Sequence, residues 1–171
     1  MEIIDVIKTR RSVREFERKK VEIDKIEKIL EAARWAPSAK NRQPWVFIVV
    51  QNEETIKQIA SCTIYSFVGN APLLIVVFLD KSEMVDRTKD VQAIGASIQN
   101  MLLAVHALGL GAVWVGEILA RKEEVNKILD APSYLELMAV VAVGYPVERK
   151  RSSERKSLKE IAYREKFGIS W

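Results

Sequence analysis

The sequence predicts helices packed against a buried β-sheet, and three observations carry that expectation. Leu73-Leu74-Ile75-Val76-Val77-Phe78-Leu79 is an unbroken apolar run, the pattern of a strand covered on both faces. Two further runs, Val46 to Val50 and Glu136 to Val143, repeat it. Between the runs, apolar residues recur at helical spacing, most densely from Asp90 to Leu108. There Ala93, Ile94, Ala96, Ile98, Met101, Leu102 and Val105 cover more than half of the circumference. A helix this apolar needs its own sheet on one side, and a second subunit is a candidate cover for the other.

In chain order, Glu2 to Lys8 reads as a short helix with Ile3, Ile4 and Ile7 on one face. A second helix is expected over 23–35, with Pro37 biasing Ala36 out of the α region. Pro44 acts in the same way on Gln43, just before the strand at 46–50. Glu53 to Ser61 reads as a helix, and Cys62 to Asn70, which lacks a period, as irregular chain. After the strand at 73–79, Lys81 to Thr88 is polar and expected at the surface. The long helix at 90–108 is closed by Gly109, a natural C-terminal cap. Gly111 to Gly116 reads as a strand, Arg121 to Asp130 as a charged helix, and 136–143 as a strand ended by Gly144-Tyr145-Pro146. A charged tail from Val147 to Lys156 leads to an expected helix from Ser157 to about Lys166. The apolar end, Phe167 to Trp171, reads as extended chain docked on some surface.

With 171 residues, 49% hydrophobic and 29% charged, the chain has the make-up of one globular domain spanning 1–171. The amphipathic start is not a signal peptide, and no apolar run reaches the roughly 20 residues needed to span a bilayer. One cysteine, Cys62, fits core filling in a reducing, cytoplasmic setting. The single histidine, His106, sits within the long helix and reads as a structural or interface residue. A net charge of +4 is modest, and no basic-aromatic interleaving points to nucleic acid.

The chemistry is defined first by what is missing. There is no GxSxG, no second histidine for a metal, no CxxC and no GxxxxGK[ST], and Gly109-x-Gly111 precedes a strand rather than a helix. A protein without its own acid, base and metal leaves the reaction to a cofactor. Three stretches suit one. Arg10, Arg11, Ser12 and Arg14 form a compact donor cluster fitted to phosphate, or else a solvated charge run. The loop from Pro37 to Pro44 presents Ser38, Asn41 and Gln43, which either hold a flat polar ligand or satisfy local backbone. The strand ending at Gly116 lets backbone approach a ligand closely. Phosphate, heterocycle edge and ring face together suit flavin mononucleotide.

On these residues the chain resembles the nitroreductase family of FMN-dependent oxidoreductases, over nearly its whole length. The carriers are Arg10-Arg11-Ser12-Val13-Arg14 with Phe16, Ala36-Pro37-Ser38-x-x-Asn41-x-Gln43-Pro44-Trp45, and Asp90 with Gln99 to Ala104. Gly109-Leu110-Gly111, Trp114-Val115-Gly116-Glu117, Gly144-Tyr145-Pro146 and Arg155-Lys156-Ser157-Leu158 complete the set. The resemblance implies an α+β fold with a mixed central sheet flanked by helices, and a homodimer with FMN at the subunit interface. By it, Arg10 and Ser12 hold the phosphate and ribityl end, with Arg155 assisting and Arg11 in the same cluster. Arg14 lies at the N1 and C2 carbonyl edge as a catalytic cation. Pro37, Ser38, Ala39, Asn41 and Gln43 come from the other subunit. Val115 and Gly116 lie against the ring, and the backbone N–H of Glu117, the second catalytic group, lies near N5. The implied activity is ping-pong transfer of hydride from NADH or NADPH to a small acceptor such as a nitroaromatic, quinone or enone. A flavin carrier or sensor without turnover, and specialised chemistry such as flavin fragmentation or dehalogenation, are the alternatives. The chain is shorter than the better-known bacterial nitroreductases and lacks their helical segment over the substrate pocket.

Overall fold

The computed structural model describes residues 2–147 and 152–171. Its elements are α1 (Ile3–Thr9), α2 (Ile23–Arg34), β1 (Trp45–Val50), α3 (Glu53–Ala60), β2 (Leu73–Asp80), α4 (Arg87–Ala107), β3 (Gly111–Val115), α5 (Lys122–Ile128), β4 (Leu135–Gly144) and α6 (Leu158–Ile161). Short 3-10 turns lie at Ala39–Asn41, Ser66–Asn70 and Glu117–Arg121.

The four strands form one sheet in the order β1-β2-β4-β3, and every pairing is antiparallel. The resemblance implies a mixed sheet, and β2, α4 and β3 are joined like a parallel crossover unit. β4 inserts between the two strands and turns both contacts antiparallel. Among the described residues, the parallel component is the single bridge between Ser12 and Ala112.

β2 holds the core together. Leu73 to Leu79 are all fully buried, and alternation sends them to opposite faces. Leu73, Ile75, Val77 and Leu79 meet α2 and α4 through Ile26, Ile29, Ile94, Ile98 and Met101. Leu74, Val76 and Phe78 meet the other layer, built from Ile56 and Ile59 of α3, Val125 of α5, and Cys62. Each such side chain contributes roughly 1.5–3 kcal/mol by leaving water. Cys62 is a buried free thiol.

α4 begins at Arg87, three residues before the expected start. The Asp86 carboxylate accepts the Lys89 N–H at 3.0 Å as its N-cap. Buried Asp90 accepts from the N–H groups of Val85 at 2.7 Å and Asp86 at 2.9 Å. On its buried side Ser97 Oγ donates to the Ala33 carbonyl at 2.9 Å, and Asn100 Nδ2 to Ala32 at 3.2 Å. The last turn of α2 is thereby fixed where it enters the loop at 37–43. Among the described residues no helix is long and apolar enough to cross a membrane.

The tail departs from expectation. α6 opens with a capping box between Ser157 and Glu160 but lasts only four residues, because Ala162 turns extended. Beyond it the chain is not extended: Tyr163 bridges Ser170, with Glu165 and Gly168 at positive φ in the turn and the Tyr163 and Phe167 rings 4.6 Å apart. Residues 148–151 of the charged tail lie outside the described residues.

The segment from Ser12 to Glu17 lies across the ends of β3 and β4. Val13 N–H donates to the Ala112 carbonyl, Glu17 N–H to Tyr145, and Val147 N–H to Glu15. Two glycines paired across the strands, Gly111 and Gly144, make room for it. A Cβ on Gly111 would fall 2.7–2.8 Å from the Val13 side chain, and one on Gly144 2.7 Å from Pro72 and 3.0 Å from Phe16. Gly111→Ala should therefore overpack this contact and lose about 1–3 kcal/mol in urea unfolding. Val13→Gly in the same chain, which also removes the Val13 Cβ that would lie 2.8 Å away, should recover part of that loss. Equal stability of the single and double variants would show that Val13 is not the obstacle.

Candidate functional site

The arginines arrive from the C-terminus of α1. Arg10 caps that helix through its N–H to the Val6 carbonyl. Arg11 folds back, its Nη1 donating to the carbonyls of Lys8 at 2.7 Å and Arg10 at 2.8 Å, while its Nε is buried with no acceptor. Burial pushes the Arg10 guanidinium below its ordinary value, and the charges of Arg11 and Arg155 add to the effect. Among the described residues, none of these three arginines forms an ion pair with a carboxylate. Half-buried Arg10 and Arg11, crowded with exposed Arg155, without a carboxylate counter-charge among the described residues and with one orphaned buried donor, are the electrostatics of an anion site. A phosphate group fits it.

Arg14 extends from the next turn of chain, its guanidinium 5.9 Å from the centre of the Phe67 ring. Phe67 stacks on Tyr65 at 5.4 Å. At the far end of β3, Val115 is buried and Gly116 exposed. Among the described residues nothing demands glycine at 116. Its φ is −92°, and a Cβ there would meet nothing nearer than Trp114 Nε1 at 4.0 Å. Open space over a backbone edge fits the approach of a flat ring. Glu117 follows, its carboxylate accepting from Thr63 Oγ1 at 2.5 Å and from the Ile64 N–H at 3.3 Å.

The loop at 37–43 is held in an unusual shape. Lys40, Asn41 and Gln43 all have φ between +52° and +54°. That region costs an ordinary residue roughly 1–2 kcal/mol. Pro44 keeps Gln43 out of the right-handed helical region, but the outcome is left-handed rather than extended. Ser38 Oγ accepts the Gln43 N–H at 2.9 Å, and Gln43 Nε2 donates to the Asn41 carbonyl at 3.2 Å. Arg42 reaches Glu83 at 3.0 Å. Ser38 and Gln43 thus shape the loop, whereas the exposed Asn41 side chain has no partner among the described residues. Backbone strain of this kind collects at functional sites.

The sheet sets these stretches apart. The loop enters β1, one edge of the sheet, at the end where Trp45 faces Leu79. The arginine segment lies on β3, the other edge, at the opposite end, where Gly111 faces Gly144. Three strand spacings separate the edges, on the order of 14 Å, before the offset along the strands is added. Sequence reasoning missed Thr63, Ile64, Tyr65 and Phe67, since an aperiodic stretch gives no signal except its aromatics.

Comparison with known proteins places this geometry in a family. The Nitroreductase family profile matches residues 7–64 and 60–145. A Methanothermobacter thermautotrophicus protein named "Putative NADH dehydrogenase/NAD(P)H nitroreductase" is 39% identical over 151 residues, covering 86% of this chain and 79% of that one. An iodotyrosine deiodinase of Thermotoga neapolitana is 30% identical over 174 residues, covering 86% and 90%. Among solved structures, one from Desulfovibrio desulfuricans, described as "a putative nitroreductase in complex with fmn", superposes with a TM-score of 0.91 at 39% identity. The match covers 98% of each chain.

His106 joins the arginine cluster from α4. Thr9 Oγ1 gives its one proton to the Asp5 carbonyl at 2.6 Å, so the 2.8 Å contact with His106 Nε2 requires the ring to donate. Burial, then Arg10 and Arg11, hold the imidazole below its ordinary 6.5. With the folded value depressed, the unfolded chain binds the proton first, and this contribution to stability is lost as pH falls below about 6.5. Urea midpoints measured from about pH 7.5 to about pH 5.5 should drop more in the wild type than in His106→Gln. Parallel curves would show that His106 does not feel the arginines.

Proposed function

The chain belongs to the nitroreductase family, and from that premise we propose an NAD(P)H-dependent FMN oxidoreductase acting on a small organic acceptor. The observation that carries the reading is the cluster of Arg10, Arg11 and Arg155, with its orphaned Nε and no carboxylate partner among the described residues. FMN, when bound, supplies the hydride chemistry that no side chain of this chain can perform. Arg10, Ser12 and Arg155 would hold its phosphate and ribityl end, with Arg11 supporting the cluster. Arg14 would supply positive charge at the N1 and C2 carbonyl edge, favouring the electron-rich form. Val115 and Gly116 would border the ring, and the Glu117 N–H would donate toward N5. Electron donor and acceptor would use the same space in turn, giving ping-pong kinetics. A nitroaromatic, quinone or enone is the proposed acceptor, and the deiodinase relative makes reductive dehalogenation the second reading.

The remaining site residues would come from a second copy. Pro37, Ser38, Ala39, Asn41 and Gln43 stand at the corner of the sheet diagonally opposite the arginines, so one chain is poorly arranged to bring both to one flavin. Apolar surface supports pairing: Ile3, Ile4 and Ile7 of α1 are exposed, as are Leu158, Ile161, Ile169 and Trp171, and Phe167 is 88% exposed. The protein would work as a one-domain cytoplasmic homodimer.

The purified protein should show a flavin spectrum that bleaches with anaerobic NADH or NADPH and returns with a quinone. Arg10→Ala should weaken FMN roughly tenfold or more while riboflavin affinity barely moves, given about 1.5–3 kcal/mol for a charge-assisted contact. Equal losses for both ligands would remove Arg10 from the phosphate. The shared site has its own test. Arg10→Ala and Asn41→Ala chains, mixed as heterodimers, should recover FMN binding at about half of the sites, because one site then carries both lesions and the other neither. Mixed dimers that bind no better than their parents would assign the Asn41 loop to its own subunit.

A further inference from the structure

We propose that Glu117 is a positioning residue whose carboxylate fastens the segment from Thr63 to Phe67 to the end of β3, fixing the wall that a substrate meets above the flavin. The inference rests on the flavin reading above. It concerns the side chain of Glu117, not its backbone N–H.

The hydrogen bonds form a relay with one direction. Tyr65 N–H donates to Thr63 Oγ1 at 3.3 Å, and Thr63 passes its own proton to Glu117 Oε2 at 2.5 Å. The same oxygen accepts the Ile64 N–H at 3.3 Å. The neighbouring amides of Ser61, Cys62 and Thr63 bond back to the end of α3, and Val68 N–H bonds to Tyr65. Ile64 and Tyr65 lie between these anchors, and their amides are satisfied by side-chain oxygens that lead to Glu117. A bond to a carboxylate is roughly twice as strong as a neutral one. Removing it would strand the Thr63 hydroxyl and the Ile64 amide together.

The segment also joins the two edges of the proposed ring site. It starts at Glu117, whose N–H is assigned to N5, and ends at Phe67, over which lies Arg14, assigned to the N1 edge. Between them Ile64 is 78% exposed and Tyr65 42% exposed. Apolar side chains this open, held on a turn that no strand supports, are placed to meet a ligand rather than to fill a core. Without the carboxylate they would lose their fixed position.

Two variants and two readouts test this. Glu117→Ala should speed amide exchange at Ile64 and Tyr65 about tenfold or more, since the Ile64 bond is gone and the Thr63 hydroxyl that accepts from Tyr65 has lost its anchor. Glu117→Gln keeps a carbonyl oxygen for both donors, so amide exchange at Ile64 and Tyr65 should stay close to wild type. Thr63→Val, which cuts the same relay from its other side, should raise KM for a quinone several-fold with a smaller change in kcat, at unchanged FMN affinity. Adding it to Glu117→Ala should cost little more, the non-additivity expected of one shared contact. If FMN binds and exchange at Ile64 and Tyr65 does not move in Glu117→Ala, the clamp is wrong and the flavin reading stands. Faster exchange with unaltered KM in Thr63→Val would overturn the wall. Wild-type exchange in Glu117→Gln together with a KM raised as far as in Thr63→Val would overturn positioning in favour of charge. A wild-type protein that takes up no FMN would sink the flavin reading, and the wall with it, whatever the exchange data.

Discussion

The segment carrying Arg11 and Arg14 can reach the sheet because two strands give up their side chains at the same level. Gly111 and Gly144 face each other, and the space their missing Cβ atoms leave is taken by Val13 on one side and by Pro72 and Phe16 on the other. Backbone bonds then run from 12–17 to both strands, so the segment behaves as an added margin of the sheet rather than a loop. With that margin fixed, Arg10 and Arg11 are brought together beside His106, and Arg14 is aimed at Phe67. A single methyl group at either glycine would shift all of them.

The arrangement sets stability against function in two places. Crowded arginines repel one another and, after burial, lower the proton affinity of the neighbouring histidine, which costs the ligand-free fold some stability and favours any anion that enters. Three left-handed residues in the 37–43 loop carry strain of similar kind, kept in place by Ser38 and by the bonds of Ser97 and Asn100 to the end of α2. Core packing around β2, buried along its whole apolar run, is the reserve that tolerates both.

Much of this was legible in the residues, for physical reasons that differ by element. β2 announces itself because a strand covered on two faces has no polar positions, and α2 and α3 because burial on one side imposes a helical period. The insertion of β4 between β2 and β3 was not legible, since strand order depends on long-range pairing and leaves no local pattern. The start of α4 was hidden because its signal, Asp86, is one acid within a polar run. The shortness of α6 reflects a backbone turn at Ala162, a residue whose propensity favours helix. Arginines, glycines and prolines of the site could be read from composition and spacing. The clamp at Glu117 could not, because it joins an aperiodic stretch to a residue far along the chain.

The position of β4 has a consequence for the order of assembly. It is the last strand to be synthesised, yet it lies inside the sheet, bonded to β2 on one side and β3 on the other. Until it arrives, β1 and β2 can pair as neighbours, but β3 has no partner strand and the segment at 12–17 has only half of its track. Contacts such as Phe16 with Pro146 close nearly the whole chain into one loop, the kind of pairing that forms late and slowly. A nascent or clipped chain that ends before β4 would own Arg10, Arg11 and Arg14, lack Arg155, and be unable to set the three it has in place. Cofactor capture would then act as a checkpoint on completeness, retaining flavin only in chains whose final strand is home.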